Sequence, residues 1–321
     1  MSVGLALLYL MLGLFFVVKG ADILISSAIS IGKKNNISEF FIGVVIIGFG
    51  TSLPELLVSI DAILNEFPDL SVGNVVGSNI ANLLLVFGFI GFFSELTIKK
   101  ISKFDISSHF FVHIFFLIIV MFLTFNLSFG LLFLFLFILY LYFSFKSSLL
   151  ENFEEIQIED SLLAKLSFKK PFVYGLPIVI LSIIVTLLGA ELTVDSAIYL
   201  SNQLGISDSL IGLTVIAIGT SLPEIATCIA AAKKNKINLI MGNIIGSNMY
   251  NLLLILGLAS LFDSFFFTKE ELIFEIIFLT TIVSLFSIFL LKKSTITLIT
   301  AIASIAIYGL YLANLFWKNF S

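Results

Sequence analysis

The chain predicts an all-α polytopic membrane protein: ten transmembrane helices as two inverted-topology five-helix repeats, with broken helices at the midplane. Three observations predict it. Ten apolar stretches follow one another along 321 residues, of which 59% are hydrophobic and 12% charged. A soluble globular chain is about a quarter charged. The lysines collect in alternate loops. Finally, the string Gly-Thr-Ser-Leu-Pro-Glu occurs at 50–55 and again at 219–224, each time inside an apolar stretch.

Each stretch supplies the roughly 20 residues that a membrane-spanning helix needs. The first, about 3–31, lacks the basic start and small-residue cleavage site of a signal peptide and counts as a span. Within it Lys19 and Asp22 have the spacing of an i,i+3 pair near an interface. The second, about 38–64, carries the first Gly-Thr-Ser-Leu-Pro-Glu. Asp61 follows Glu55 by six residues, about 600° of helical rotation, so it does not share that face and belongs to a solvated outer end. The third, about 68–93, holds GNVVGSNIANLLL. In the fourth, about 106–125, His109 and His113 lie one turn apart and read as packing or lining residues, having no acidic partner at metal spacing. The fifth is about 128–146.

A polar segment, 147–171, then interrupts the pattern. Its acidic cluster of Glu151, Glu154, Glu155, Glu159 and Asp160 reads as a solvated linker or short interfacial helix. The sixth span is about 172–200. The seventh, about 208–232, carries the second Gly-Thr-Ser-Leu-Pro-Glu and the single Cys228, a small packing residue without a disulfide partner. GNIIGSNMYNLLL lies in the eighth, about 238–262, and the ninth and tenth are about 270–291 and 295–316. The domains are therefore a first repeat at 1–146, a cytoplasmic loop at 147–171 and a second repeat at 172–321.

Lysine placement sets the orientation. All 17 basic residues are Lys, and with the N-terminus outside, fourteen fall in inner loops. Only Lys269 and Lys318 lie outside, with Lys19 inside a span, as the positive-inside rule requires. Phe67-Pro68-Asp69 and Ser207-Asp208 mark outer turns. With this orientation both termini are expected outside. No basic block suggests nucleic acid, and the expected partners are the lipid bilayer and transported ions. The chain carries no sign of an enzyme, a cofactor or an obligate protein partner.

A shift of 219 − 50 = 169 residues superposes the halves. Gly20-Ala21 falls on Gly189-Ala190, Ser27-Ala28 on Ser196-Ala197, and Ile42-Gly43 on Ile211-Gly212. Between Gly73 and Gly88, ten of sixteen positions match their partners. Five spans per half is an odd number, so the second half enters the membrane from the opposite side. Inverted repeats are the architecture of many secondary transporters, with the site at the midplane.

The chemistry centres on the repeated string. Ser52 with Glu55, and Ser221 with Glu224, have capping-box spacing. Pro54 and Pro223 suit a first helical turn, and Gly50 and Gly219 ease a preceding break. The glycines 73 and 77, and 242 and 246, suggest a similar interruption in the next span of each half. Irregular backbone at this depth is tolerated only where it is buried in protein or lines a cavity. Capping alone does not account for the glutamates. An acidic side chain at a helix centre costs roughly 3 kcal/mol, whereas a cap contributes about 1. Two carboxylates, hydroxyls and backbone carbonyls form an all-oxygen set suited to Ca²⁺ or Na⁺. A ligand charge of −2 balances one Ca²⁺ or two Na⁺, which permits competition for one site.

GTSLPELLVSI…GNVVGSNIANLLL and GTSLPEIATCI…GNIIGSNMYNLLL resemble the two α-repeats of the cation/Ca²⁺ exchanger superfamily, particularly prokaryotic Na⁺/Ca²⁺ exchangers. The resemblance spans both halves and implies an integral protein of a prokaryotic plasma (inner) membrane. It implies a secondary active antiporter working by alternating access, with the second, third, seventh and eighth helices around the ions and the first and sixth as a sliding gate. It implies Glu55 and Glu224 as shared Ca²⁺ and Na⁺ ligands. Thr51 and Thr220 would offer backbone carbonyls, Ser52, Ser78, Ser221 and Ser247 hydroxyls, and Gly48 and Ala217 further carbonyls. Asn82 and Asn251 complete the set. Some members, including K⁺-dependent exchangers, carry Asp where Asn251 stands. H⁺/Ca²⁺ or K⁺-dependent exchange on the same scaffold is the alternative reading, and a cation channel a further one.

Overall fold

In the computed structural model the chain is described at residues 2–93, 95–98, 101–122, 126–149, 161–204, 217–262, 269–292 and 294–320. Helix dominates because hydrocarbon offers no water to exposed N–H and C=O groups, so a spanning segment bonds its own backbone. The first half contains α1 (Val3–Lys34), α2 (Glu39–Thr51), α3 (Leu53–Leu64), α4 (Pro68–Ile90), α5 (Lys103–Phe122) and α6 (Leu127–Ser148). After the short α7 (Leu162–Lys169) come α8 (Pro171–Gln203), α9 (Ala217–Thr220), α10 (Leu222–Lys233), α11 (Ile237–Ala259), α12 (Lys269–Leu291) and α13 (Leu298–Phe320).

Among the described residues, eight helices are individually long and apolar enough to cross a membrane. The pair α2 and α3 passes the same test of length and composition when taken together, with a bend of 46° between them. The expected seventh span is described only from Ala217, and Ser207, Asp208, Ile211 and Gly212 lie outside the described residues. So do Lys99, Lys100, Lys293 and the cluster of Glu151, Glu154, Glu155, Glu159 and Asp160. The all-α expectation takes one correction. Two-residue strands β1 (Leu96–Thr97) and β2 (Thr295–Ile296) pair antiparallel, with Leu96 opposite Ile296. A strand of two residues has no periodicity to reveal it in the sequence.

Helix α11 forms the centre: 94% of its most apolar window is buried, and 78% of that of α4. The corresponding shares for α1 and α8 are 22% and 28%, so these two long helices lie at the lipid boundary. They cross each other closely. A Cβ on Gly13 would stand 2.8 Å from the Gly189 carbonyl oxygen, and one on Gly189 would stand 2.7 Å from the Val17 nitrogen. Small residues permit such backbone approach in a membrane, where packing rather than the hydrophobic effect joins helices.

The glycine-rich stretches of the third and eighth spans do not break their helices. α4 and α11 run through them, and the irregularity arrives later, as π-helical turns at Asn82–Val86 and Tyr250–Ile255. In α11 the glycines serve contact instead. A Cβ on Gly242 would collide with the Phe40 carbonyl oxygen, and one on Gly246 would lie 2.8 Å from the Val44 Cα. The opposing stretch of α2 is itself π-helical over Gly43–Gly48. π-turns inside α-helices occur frequently at functional sites.

The halves share further local geometry. The turn after α3 passes through Glu66 at φ 65°, and its repeat partner Asn235, after α10, has φ 55°. Loops that the lysine pattern assigns to one side do meet on one face. Lys236 pairs with Glu39 at 2.7 Å, Lys234 with Asp22 at 3.0 Å, and β1 with β2. Lys233 also lies over the Phe93 ring and Lys34 over that of Phe168. Asp22 therefore takes Lys234 rather than the expected Lys19, because folding brings the α10–α11 turn against α1.

Candidate cation site

The two copies of Ser-Leu-Pro-Glu adopt the same local conformation. Ser52 has φ −82° and ψ 4°, and Ser221 has φ −88° and ψ 1°. Neither serine side chain caps its helix, which overturns the capping-box expectation. The reason is that the helix bends without stopping. The Ser52 N–H donates to the Gly48 carbonyl at 3.1 Å, and the Leu56 N–H to the Ser52 carbonyl at 3.1 Å. Between these bonds Pro54 has no N–H, leaving the Gly50 carbonyl without its i+4 donor; Pro223 does the same for Gly219. The Gly48 carbonyl, a ligand that the resemblance implies, accepts from the Ser52 N–H and from the Ser247 hydroxyl at 3.4 Å.

With no cap to make, the glutamates turn inward. Glu55 is 1% exposed and Glu224 2%. Glu55 Oε2 and both carboxylate oxygens of Glu224 lack a hydrogen-bond partner. The two carboxylates are close enough to repel, with Ser78 beside Glu55 and Thr51 beside Glu224. Removing an uncompensated charge from water costs several kcal/mol. Three orphan carboxylate oxygens facing neutral hydroxyls are therefore an incomplete set, which a hard cation would complete.

The other expected residues each have contacts of their own. Thr51 Oγ1 lies 3.4 Å from Asn243 Oδ1 and 3.5 Å from Ser247 Oγ. Ser52 and Ser221 are buried, and Ser52 Oγ has no partner. Thr220 ends α9, which Ala217 opens. Asn82 and Asn251 are buried, with their amide nitrogens turned across the halves: Asn82 donates to Asn248 Oδ1 at 3.2 Å, and Asn251 to Asn79 Oδ1 at 3.0 Å. A cavity of about 410 Å³ reaches Ser78, Thr220 and Ser221. Its walls include Leu70, near the start of α4, and Leu312 and Leu315, toward the end of α13, both remote from the lysine-bearing face. Among the described residues no three or more His, Cys, Asp or Glu side chains group together as metal ligands.

Several residues were not singled out from the sequence. Asn74 donates to the Glu55 carbonyl at 3.1 Å and to Ser59 Oγ at 2.9 Å, tying α3 to α4. Its repeat partner Asn243 donates to Thr227 Oγ1 and to Cys228 Sγ, each at 3.3 Å. Cys228 is thus a hydrogen-bond acceptor as well as a packing residue. The signal was available, since this Asn is identical in both copies. His109 and His113 are hydrogen-bonded to asparagines of both halves rather than simply packed.

Comparison with known proteins follows the same lines. The sequence pattern of the family described as sodium/calcium exchanger protein matches residues 5–146 and 174–317. The inner membrane protein YrbG of Escherichia coli is 35% identical over 262 residues, covering 80% of each chain. The sodium/calcium exchanger MaX1 of Methanosarcina acetivorans is 31% identical over 310 residues, covering 83% of this chain and 87% of its own. A solved structure of the sodium-calcium exchanger NCX_Mj superposes with a TM-score of 0.83 at 33% identity, covering 98% of this chain and 100% of that one.

Proposed function

The chain belongs to the sodium/calcium exchanger family of membrane cation/Ca²⁺ exchangers, and on that premise we propose that it is an antiporter exchanging Ca²⁺ for Na⁺ through one shared site. Glu55 and Glu224 are the charged ligands. Thr51, Thr220, Gly48 and Ala217 contribute carbonyl oxygens, Ser52, Ser78, Ser221 and Ser247 hydroxyls, and Asn82 and Asn251 amide oxygens. The observation carrying this reading is the pair of buried glutamates, from equivalent positions of the two halves, with unpartnered carboxylate oxygens.

The coupling follows from charge. Empty, the site holds two carboxylates in a low-dielectric interior, and moving them past apolar walls is costly. One Ca²⁺ or two Na⁺ neutralises them, so the loaded forms can switch and the empty form cannot. That asymmetry distinguishes an exchanger from a leak. The halves 1–146 and 172–321 act as inverted repeats, the first and sixth membrane-spanning helices slide, and the termini lie outside. Under this orientation the cavity at Ser78 and Ser221 faces outward. The inward Na⁺ concentration gradient then drives Ca²⁺ outward; the membrane potential would add about 2.3 kcal/mol per 100 mV for each net charge moved, and a two-for-one exchange moves none.

Proteoliposomes test the reading. Ca²⁺ flux should follow an imposed Na⁺ gradient and ignore K⁺. Flux that follows only a pH gradient would assign H⁺ as the counter-ion, and downhill flux without any counter-ion would make the protein a channel.

A further inference from the structure

Two hydrogen-bonded chains of amides join Asn251 and Asn82 to the paired histidines of α5. In one, Asn251 donates to Asn79 Oδ1 at 3.0 Å, and Asn79 Nδ2 faces His113 Nε2 at 3.3 Å. In the other, Asn82 donates to Asn248 Oδ1 at 3.2 Å, and Asn248 Nδ2 faces His109 Nε2 at 3.2 Å. The residue pairs 79 and 248, and 82 and 251, are related by the 169-residue shift. The histidines are not: both stand on α5, with ring centroids 4.6 Å apart. One helix thus terminates a chain from each half.

At His113 the direction of the bonds is fixed. His113 Nδ1 lies 2.7 Å from the His109 main-chain carbonyl, which can only accept. Nδ1 therefore carries the proton, and in the neutral ring Nε2 is an acceptor. An acceptor there requires Asn79 to present its NH₂, a choice reinforced by the Asn248 carbonyl, which takes the same amide at 3.3 Å. Asn79 must then turn its Oδ1 to Asn251, and Asn251 must answer with its NH₂. The oxygen of Asn251 is left over, buried and without a partner. Asn251 sits one helical turn past Ser247, as Asn82 sits one turn past Ser78, on the faces that bear the proposed hydroxyl ligands.

We propose that His113, and through the second chain His109, are positioning residues that hold the amide oxygens of Asn251 and Asn82 toward the transported cation. An amide free to turn would offer an NH₂ donor, which repels a cation, as readily as an oxygen. A histidine acceptor removes that ambiguity two residues away from the ion, without adding charge to the site. His113 is the stronger anchor, because its Nδ1 is bonded to the backbone while Nδ1 of His109 has no partner. The inference rests on placing Asn82 and Asn251 in the cation cavity.

The test is Na⁺-driven Ca²⁺ uptake by the full chain in proteoliposomes, comparing H113L, which cannot accept, with H113Q, whose carbonyl can. Losing the bond that fixes the amide should raise the Ca²⁺ concentration for half-maximal uptake by about tenfold in H113L, with the maximal rate little changed. H113Q should stay within about twofold of the original protein. Unchanged half-saturation in H113L overturns the proposal, and so does equal weakening of both variants, which would indicate shape rather than hydrogen bonding. Should H113L not fold, the H109L and H109Q pair reads the second chain in the same way. E55Q and E224Q in the same assay separate the two levels. Exchange retained by both removes the shared-site reading, whereas their inactivity beside a normal H113L removes only the positioning role.

Discussion

The hydroxyl of Thr51 donates to Oδ1 of Asn243 across 3.4 Å, joining the bend of the first half to the most buried helix of the second. Thr51 also stands beside the Glu224 carboxylate, and Asn243 reaches Cys228 one turn beyond it. The first half therefore supports the glutamate of the second, while Glu55 stands beside Ser78 of its own half, and substitutions at the first bend should be felt at Glu224.

Neutralising one glutamate should separate transport from folding. E224Q is expected to lower Ca²⁺ exchange by about a hundredfold, equivalent to roughly 3 kcal/mol of lost ion stabilisation. It should also raise the Tm of the ion-free protein, because one buried, uncompensated charge is gone. Transport assays and thermal unfolding in chelator, on the same preparation, check both signs. A fall in Tm would mean that the carboxylate is structurally satisfied rather than waiting for an ion.

Removing the strut between α3 and α4 should weaken the fold. N74A loses the bonds to the Glu55 carbonyl and Ser59 Oγ, a loss of about 1–3 kcal/mol where the freed acceptors stay buried. Thermal unfolding should show a Tm lower by a few degrees, and saturating Ca²⁺ should restore part of it through linkage.

Close packing of α2 on α11 makes Gly242 intolerant. G242A drives a Cβ into the Phe40 carbonyl and should abolish monodisperse protein on size-exclusion chromatography. G309A, where an added Cβ meets nothing within 4 Å, should behave normally. Equal yields of the two would contradict the contact.

Sidedness can be read with a membrane-impermeant thiol reagent on intact cells. Cys228 is buried and should stay unlabelled. N65C, in the turn after α3, should label from outside, and K34C, at the far end of α1, only after permeabilisation. The reverse pattern would place the N-terminus inside.

Much of the fold was legible because a bilayer restricts the solutions. The apolar stretches gave the helices, and the lysine alternation grouped loops that meet on one face, as Lys236 with Glu39 and Lys234 with Asp22 show. The bend at Pro54 was legible too, since a missing N–H acts wherever the residue lies. Its consequence was not. Ser52 was expected to cap α3, yet the backbone bonds to Gly48 and from Leu56 keep the helix going and leave that hydroxyl free. The glycines of α4 and α11 misled for a related reason. Glycine permits either a break or a close approach, and only the neighbour, here Phe40 and Val44 against α11, decides which.

The sequence alone determined that two glutamates lie at membrane depth in duplicated surroundings, because hydropathy, lysine placement and the 169-residue register are properties of the chain itself. The tertiary structure decided what surrounds them: the unpartnered carboxylate oxygens, the Thr51–Asn243 contact, and the amide chains ending at His109 and His113. Hydrogen bonds between residues 34 to 192 positions apart depend on how helices pack and which way each amide turns. No local pattern encodes that direction, which is fixed only when every buried donor has found an acceptor.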